Sequence, residues 1–351
     1  MVVYFVVQSG MHRRAYLKRG GIAATGALVG LSGIGSVSGA NFPDESLTWM
    51  IPWSEGGGTD QYARQLAPQM EDPLGESIEI DNREGAGSLL GSEWLHGQDN
   101  DGHTFGTVNP PGWVFTWRVE EVEAWHVEDF EPISFAGIFG YTIIVNDTHD
   151  IDSYDELQDA YQDGELSNFA YQGVGTDSHL ASLLLRDEYG LEWDTAVPYD
   201  GGGPVNEAVI SDEVPAGIAT NTSAIAAEES GEVSAVVNLM DIDLTDTFED
   251  IDEITDYGDS LAWLTEFTQV QIAPPDTPED VREVLSEAVR EATEAEDTQE
   301  WEEDTGNIIE YGDMDEAADR YVGQVEVMEE EIQEVLDGGF DEFQELIEEE
   351  G

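Results

Sequence analysis

Three glycine-rich loops carry the residues of this chain that are best suited to hold a ligand. They lie at 52–60, 171–179 and 197–204, and the first contains the triplet Gly56-Gly57-Gly58. A loop of this kind points several backbone N–H groups at one place, and the start of the following helix adds partial positive charge there. Each loop is therefore a candidate anion site, and we expect the three to face one cleft that binds a small carboxylate.

Alternating strand and helix patterns position these loops. An apolar run at 47–52 predicts a strand before the first loop, and Tyr62, Leu66 and Met70 recur at helical spacing after it. Further strands are predicted at 77–81, 104–108, 167–171, 196–199, 216–219 and 235–239. Further helices are predicted at 88–96, 154–163, 178–189 and 278–295, together with one that follows the third loop and ends at 210 and others after 314. This alternation favours an α/β fold with parallel sheets and helices on both faces, in which ligands bind beyond the carboxyl ends of the strands.

The loop residues also have purely structural interpretations. The glycine triplet would suit an ordinary tight turn, and Asp60 is favoured as a helix cap or a loop brace over a ligand contact. Arg64 and Arg83, the arginines nearest the motifs, are expected to form structural ion pairs among many acids. The hydroxyl groups of three loop residues could donate to a ligand or cap helices: Thr59, Thr176 and Ser178. Five aromatic residues could wall the cleft or pack elsewhere: Trp53, Trp113, Tyr141, Tyr171 and Tyr199.

Neither catalysis nor metal binding is expected. Ser178 and His179 are adjacent and point away from each other on a helix, and the chain has no Gly-x-Ser-x-Gly elbow. The histidines, at 12, 96, 103, 126, 149 and 179, lack the pairing of a metal site. We therefore expect no catalytic residue, no metal and no cofactor.

Acidic residues dominate the charge of the chain. Its 351 residues include 79 Asp and Glu against 11 Lys and Arg, and beyond the leader only arginines remain as bases, with no lysine. Because 40% of the residues are hydrophobic and the acids are spread along the chain, we expect a folded protein adapted to multimolar salt rather than a disordered one. Nucleic acids and anionic membranes are poor partners for such a charge. The absence of cysteine excludes disulfides and thiolate sites.

The first 40 residues are predicted to be an export leader. Arg13-Arg14 precede an uncharged stretch at 20–42, and small residues at 38–40 close it. This pattern is typical of a twin-arginine signal, used by proteins that cross a membrane already folded, and Met11 is a plausible start. A permanent membrane anchor is disfavoured because six glycines between 20 and 35 make the stretch weakly apolar.

An ordered series of motifs resembles the extracytoplasmic receptors of tripartite tricarboxylate transporters, also called Bug-type solute receptors. The motifs lie at 52–60, 81–88, 101–104, 106–110, 173–181, 197–204 and 273–278. Together they cover about 47–335, nearly all of the chain beyond the leader. The chain departs from the family pattern at Glu84, where proline is usual, and at Glu55, where a small residue is usual and an acid adds negative charge beside the site. Residues 340–351 extend beyond the usual end.

The resemblance implies a two-lobed, Venus-flytrap fold like that of periplasmic binding proteins, each lobe a mixed, mostly parallel sheet flanked by helices. One lobe would comprise 41–142 and 238–351, and the other 143–237. The chain would cross between them near 137–142 and near 237–241. Members of the family bind small carboxylates largely through backbone amides and ordered water, which agrees with the lack of lysine here.

The predicted function is capture of a small organic carboxylate outside the cytoplasm, at the cell surface or in secreted form, and its delivery to the permease subunits of such a transporter. A monomer is expected. A receptor that feeds a signalling partner is the alternative, and an enzyme on the same scaffold is a third, disfavoured one. The predicted ligand-binding residues are Trp53, Ser54, Gly56, Gly57, Gly58, Thr59, Asp60, Thr107, Asn109, Gly173, Val174, Gly175, Thr176, Ser178, Tyr199, Gly201, Gly202 and Gly203.

Overall fold

The computed structural model of the protein describes residues 42–228, 231–245, 247–248 and 251–350, with the backbone alone at 349 and 350. The predicted leader at 1–40 lies outside the described residues. Among the described helices, none combines the length and the apolar character needed to cross a bilayer.

Strands and helices alternate through most of the described chain. The strands are β1 (Leu47–Ile51), β2 (Ile78–Asn82), β3 (Thr104–Val108), β4 (Glu131–Asn146), β5 (Asn168–Tyr171), β6 (Thr195–Pro198), β7 (Ala216–Thr220), β8 (Val233–Asn238), β9 (Asp252–Glu253), β10 (Glu266–Ala273) and β11 (Ile308–Gly312). The α-helices are α1 (Gly58–Leu74), α2 (Leu89–His96), α3 (Gly112–Val119), α4 (Tyr154–Gln162), α5 (Asp177–Asp187), α6 (Gly202–Ile210), α7 (Asn221–Glu228), α8 (Ala262–Thr265), α9 (Glu279–Thr293), α10 (Glu296–Thr305), α11 (Met314–Asp319), α12 (Gln324–Val335) and α13 (Gly339–Glu350).

Helix α1 shows how the local sequence sets these elements. Leu66 and Met70 are buried on its inward side, as their spacing predicts. The helix ends at Gly75, whose φ of +75° lets its N–H return to the carbonyl oxygen of Glu71 at 2.8 Å. The glycine triplet therefore lies between a buried strand and a helix anchored along its inner face.

The long strand β4 joins two groups of strands into one sheet. Its residues 131–140 pair with the antiparallel strands β10 and β11, whereas residues 141–146 pair with the antiparallel strands β7 and β8. The strand order is β2-β1-β3-β10-β4-β7-β5-β6. Parallel pairs join β1 to β2 and β3, and join β5 to β6 and β7. The predicted α/β fold with mixed sheets and flanking helices is confirmed.

Two elements that position the site were not predicted from the sequence. Strand β10 lies between β3 and β4, antiparallel to both, and α3 follows the turn after β3. The partners of β4 change between Gly140 and Tyr141, inside the range where the resemblance implies that the chain crosses between lobes.

Packing at this change of partners is close. A Cβ atom on Gly140 would lie 2.2 Å from Sδ of Met240 and 2.3 Å from the carbonyl oxygen of Thr265. No side chain fits there without displacing its neighbours, so glycine is required by space rather than by its backbone angles.

The Tyr62 hydroxyl ties α1 to β4 and β11. It donates toward the carbonyl oxygens of Ile138 (3.1 Å) and Ile308 (3.0 Å) and accepts the N–H of Ile308 at 3.1 Å. Because this hydroxyl is buried, desolvation raises the pKa of Tyr62 well above its usual range. The helix that starts at the glycine triplet is thereby fixed to the central strand.

Candidate ligand-binding site

Four helices begin at one cavity. Helix α1 starts at Gly58, α3 at Gly112, α5 at Asp177 and α6 at Gly202, and all four residues line it. The N-terminal turns of helices carry N–H groups without partners in the helix, together with partial positive charge. The cavity is therefore surrounded by potential donors to an anion.

The complete lining mixes glycines, polar groups and aromatic rings. It consists of Trp53, Gly57, Gly58, Thr59, Asn109, Gly112, Phe139, Tyr141, Gln172, Asp177, Gly202, Thr220 and Phe267, with no lysine or arginine. The free volume is about 30 Å³, room for about two water molecules. A dicarboxylate therefore enters only if the lining residues move apart.

Asp60 lies beneath the first loop and holds its shape. Its buried carboxylate accepts the N–H of Gly56 (2.9 Å), the amide of Asn82 (3.0 Å) and Nε of Arg64 (2.7 Å). Neither Gly56 nor Asp60 is among the lining residues. Arg64 also pairs with Glu55 at 3.1 Å, so this arginine forms the structural ion pairs that the acidic surroundings predict. These contacts fit the loop-brace interpretation of Asp60.

Asn109 connects the first loop to two strands. Its Oδ1 accepts both Nε1 of Trp53 (2.8 Å) and the hydroxyl of Thr59 (2.9 Å), and its amide donates to Gln269 at 3.0 Å. The Thr59 hydroxyl thus donates to Asn109. From the sequence it was expected either to donate to a ligand or to cap a helix. The Trp53 ring is held at the cavity edge by the same oxygen.

The first and third loops face each other across the cavity. Gly201 has a φ of +105°, and a Cβ atom there would lie 3.0 Å from Oγ of Ser54. A Cβ on Gly203 would lie 3.2 Å from the carbonyl oxygen of Glu55. These two glycines let the loops approach closely, whereas Gly202 lines the cavity itself.

The second loop contributes the residues that flank its glycines. Gln172 and Asp177 line the cavity, but 173–175 do not, and Val174 is 52% exposed. Thr176 caps α5 by accepting the N–H of His179, and Ser178 Oγ accepts the N–H of Gln172 at 2.8 Å. The hydroxyls of Thr176 and Ser178 therefore shape the loop and start the helix.

Other predicted site residues and wall aromatics take part in packing contacts. Thr107 accepts Nε1 of the buried Trp49 at 2.8 Å, and the Tyr199 hydroxyl lies 3.4 Å from Glu213. The ring of Tyr171 stacks on His179. Trp113 is buried and donates to Ser92 at 3.0 Å. Arg83 pairs with Asp81 at 2.7 Å and lies over the Trp94 ring.

Aromatic side chains of the two central strands form an apolar part of the lining. Phe267 of β10 lies with its ring centroid 5.3 Å from Phe139 and 4.8 Å from Tyr141, both of β4. Tyr141 was a candidate wall residue, but the two phenylalanines were not. The run at 266–273, rich in β-branched and aromatic residues, is the signal that could have predicted a strand carrying Phe267.

Asp177 is the carboxylate of the lining, and it was not among the predicted site residues. Burial raises the pKa of Asp177 to about 7. The Tyr141 hydroxyl and the N–H groups of Asp177 and Ser178 act in the opposite direction. Its Oδ2 is buried without a hydrogen-bond partner. An acid within a loop predicted to bind an anion was the available signal for this residue.

Solved structures show which fold the chain adopts. The chain superposes on MatC from Rhodopseudomonas palustris with bound malate at a TM-score of 0.67, 23% identity, covering 87% of this chain and 100% of that one. It superposes on the periplasmic binding protein BugD at a TM-score of 0.67, 21% identity, covering 88% and 99%. The fold is that of a two-lobed periplasmic solute-binding protein.

The sequence itself identifies the family. The chain is 27% identical over 269 residues to a UPF0065 protein of Pseudomonas sp. strain P51, covering 74% of this chain and 77% of that protein. The model of the family described as "Tripartite tricarboxylate transporter family receptor" matches residues 62–333 of the chain. The chain belongs to this receptor family, as its motifs predict.

Proposed function

We propose that the protein captures a small organic carboxylate in the cavity bordered by Gly58, Gly112 and Gly202 and delivers it to the permease subunits of a tripartite tricarboxylate transporter. The convergence of four helix starts on one cavity without lysine or arginine carries the proposal. Backbone N–H groups at helix starts bind carboxylates well. The malate bound to MatC is a ligand of the class proposed here.

The proposed ligand is enclosed by movement of two lobes. We assign 41–142 and 238–351 to one lobe and 143–237 to the other, since β4 exchanges its partners between 140 and 141. Opening of the lobes would enlarge the cavity beyond its present free volume of about 30 Å³ and admit the ligand. Lobe closure would then bring Gly58 and Gly202 onto the same carboxylate. Such hinge motion is common in two-lobed receptors.

Local donors decide the affinity despite the acidic surface. At about 1 M salt, charges are screened within about 3 Å, so the net −68 has little reach into the cavity. Each charge-assisted hydrogen bond contributes about 1.5–3 kcal/mol. About four to six such bonds would support micromolar binding after association and ordering costs.

We also propose that the protein binds its ligand without changing it chemically and that it acts outside the cytoplasm. The motif at 11–18 and the stretch at 20–42 support export by the twin-arginine route. The large negative net charge of the protein supports a role in concentrated salt. The need for two lobes to open and close supports a monomer. The signalling alternative gains no support from the comparisons.

A ligand screen tests the proposal. Thermal unfolding in multimolar KCl should show a higher Tm with at least one carboxylate among malate, adipate, citrate and aromatic acids, and each acid should be recovered unchanged. Gly202→Leu should abolish this gain because its side chain would extend into the cavity, where the first carbon meets Gln172 only at ordinary contact distances of 3.4–3.6 Å.

Gly97→Leu is the matched control. Gly97 is exposed at the end of α2, and a Cβ there meets nothing closer than 3.7 Å. This variant should keep both the fold and the ligand-dependent gain. Equal gains in the wild type, Gly202→Leu and Gly97→Leu would move the site elsewhere, and conversion of the acid would identify an enzyme.

A further inference from the structure

Asp177 opposes the binding of a simple carboxylate in the proposed site. It is 3% exposed, it lines the cavity from the first turn of α5, and its Oδ2 has no hydrogen-bond partner. An anionic ligand in the same small space would face this carboxylate with no lysine or arginine in the lining between them. Two like charges that share a small space away from water repel each other strongly.

A ligand that also carries a cation removes this conflict. Its carboxylate would meet the helix starts at Gly58 and Gly202, and its cation would meet the unpaired Oδ2 of Asp177. Tyr141 and Phe267, whose ring centroids lie 4.8 Å apart, are also in the lining and can face the same cation. Every charge would then have a partner.

The position of Asp177 keeps its carboxylate available for such a partner. Burial raises the pKa of Asp177, and the N–H groups at the start of α5 and the Tyr141 hydroxyl oppose that rise by favouring the ionised form. Gly112 lies directly against it, since a Cβ there would come 2.9 Å from Cγ of Asp177. A larger residue at 112 would therefore push Asp177 out of its place beside the cavity.

We infer that Asp177 is a specificity-determining residue that selects carboxylates bearing a positively charged amine, such as amino acids or betaines, over simple carboxylates. This inference rests on the proposed function, because it assumes that the cavity between Gly58, Gly202 and Asp177 is the ligand site. It names the chemical class of the ligand.

Matched ligand pairs that differ only by the amine provide the test. Isothermal titration of the protein without its leader, in multimolar KCl at pH 7.5, would compare succinate with L-aspartate, glutarate with L-glutamate, isovalerate with L-valine, and acetate with glycine betaine. The amine-bearing member of at least one pair should bind at least about tenfold more tightly. In Asp177→Asn that preference should vanish or reverse, because the amide cannot pair with a cation.

Glu55→Gln is the matched control, since it removes one charge from an exposed side chain that lies in the first loop but outside the lining. It should keep the preference, which separates a direct contact from the general field. A purely structural role of Asp177 at the start of α5 would lower the Tm of Asp177→Asn without altering the preference within a pair.

Proton exchange on binding gives an independent readout that needs no variant. Burial raises the pKa of Asp177 to about 7, so its carboxyl group can gain or lose a proton near neutral pH. Tyr141, the titratable side chain beside it, stays neutral because burial raises the pKa of Tyr141 above its usual range. A cationic amine should favour the ionised carboxylate and release protons, whereas a simple carboxylate should favour the protonated form and take protons up. Titration in two buffers of different ionisation enthalpy measures the sign.

The outcomes separate the inference from the proposed function. If the simple acid binds as tightly as its amine-bearing partner in every pair that binds, the inference is overturned while the receptor function stands. An unchanged preference in a folded Asp177→Asn would overturn it as well. If no member of any pair and no acid of the carboxylate screen binds, the proposed function fails and the inference fails with it.

Discussion

Replacement of Asp60 by asparagine should destabilise the first glycine loop far more than an ordinary surface change. The buried carboxylate accepts three hydrogen bonds, from Gly56, Asn82 and Arg64, at 2.9, 3.0 and 2.7 Å. In Asp60→Asn the new amide group must face at least one of these donors, whichever way it is turned. We expect a loss of about 2–3 kcal/mol, from one unsatisfied buried donor and the weaker neutral bonds that remain.

Thermal unfolding in concentrated KCl measures this loss. For a chain of this size about 1 kcal/mol corresponds to about 2 °C in Tm, so Asp60→Asn should lower Tm by about 4–6 °C. Because the Asp60 side chain is 1% exposed, salt screens its bonds little, and the difference should persist between about 1 M and about 4 M KCl.

Asp81→Asn provides the matched control. Asp81 also pairs with an arginine, Arg83, at 2.7 Å, but its side chain is 32% exposed. Exposed pairs contribute about 0–1 kcal/mol, so this variant should lower Tm by at most about 2 °C. If Asp60→Asn costs no more than Asp81→Asn, the interpretation of Asp60 as the brace of the loop is wrong.

Three further predictions concern the buried groups around β4. Since burial raises the pKa of Asp177 to about 7, the folded state holds this proton more tightly than the unfolded state, and stability should fall as the pH rises from about 4 to about 7. Denaturant unfolding near pH 4.5 and pH 7.5 should show a smaller loss in Asp177→Asn than in the wild type, and an equal loss would contradict this. Tyr62→Phe should cost about 1–3 kcal/mol because it leaves the half-buried N–H of Ile308 without its side-chain acceptor; a change in Tm below about 1 °C would count against it. Gly140→Ala should cost at least about 1–3 kcal/mol, because its Cβ would lie 2.3 Å from the carbonyl oxygen of Thr265, and normal stability in the same unfolding assay would show that the packing relaxes.

The glycine loops could be located from the sequence because their requirements are local. Gly56, Gly173 and Gly201 have φ values of +81°, +101° and +105°, angles that glycine adopts at little cost. The helix after each loop could also be predicted locally, from the spacing of its apolar residues. These two features were sufficient to predict the α/β class and to indicate the general position of the site.

The composition of the cavity depends on contacts between distant parts of the chain. The Thr59 hydroxyl donates to Asn109, fifty positions away, so its donor is used by a partner that no local pattern reveals. Phe267 reaches the cavity only because β10 lies between two strands that precede it by more than a hundred residues. Asp177 belongs to the second loop, but its burial depends on α3 and β4.

The position of β10 also has a consequence for biosynthesis. Strands β3 and β4 pair with it on either side, yet β10 begins only at Glu266, about 160 residues after β3 ends. During translation those two strand edges remain without their middle partner until most of the polypeptide has left the ribosome, and contacts between such distant segments form slowly. A nascent chain stalled before residue 266 should therefore be open to proteases and chaperones in its first half, although all three glycine-rich loops have already been made.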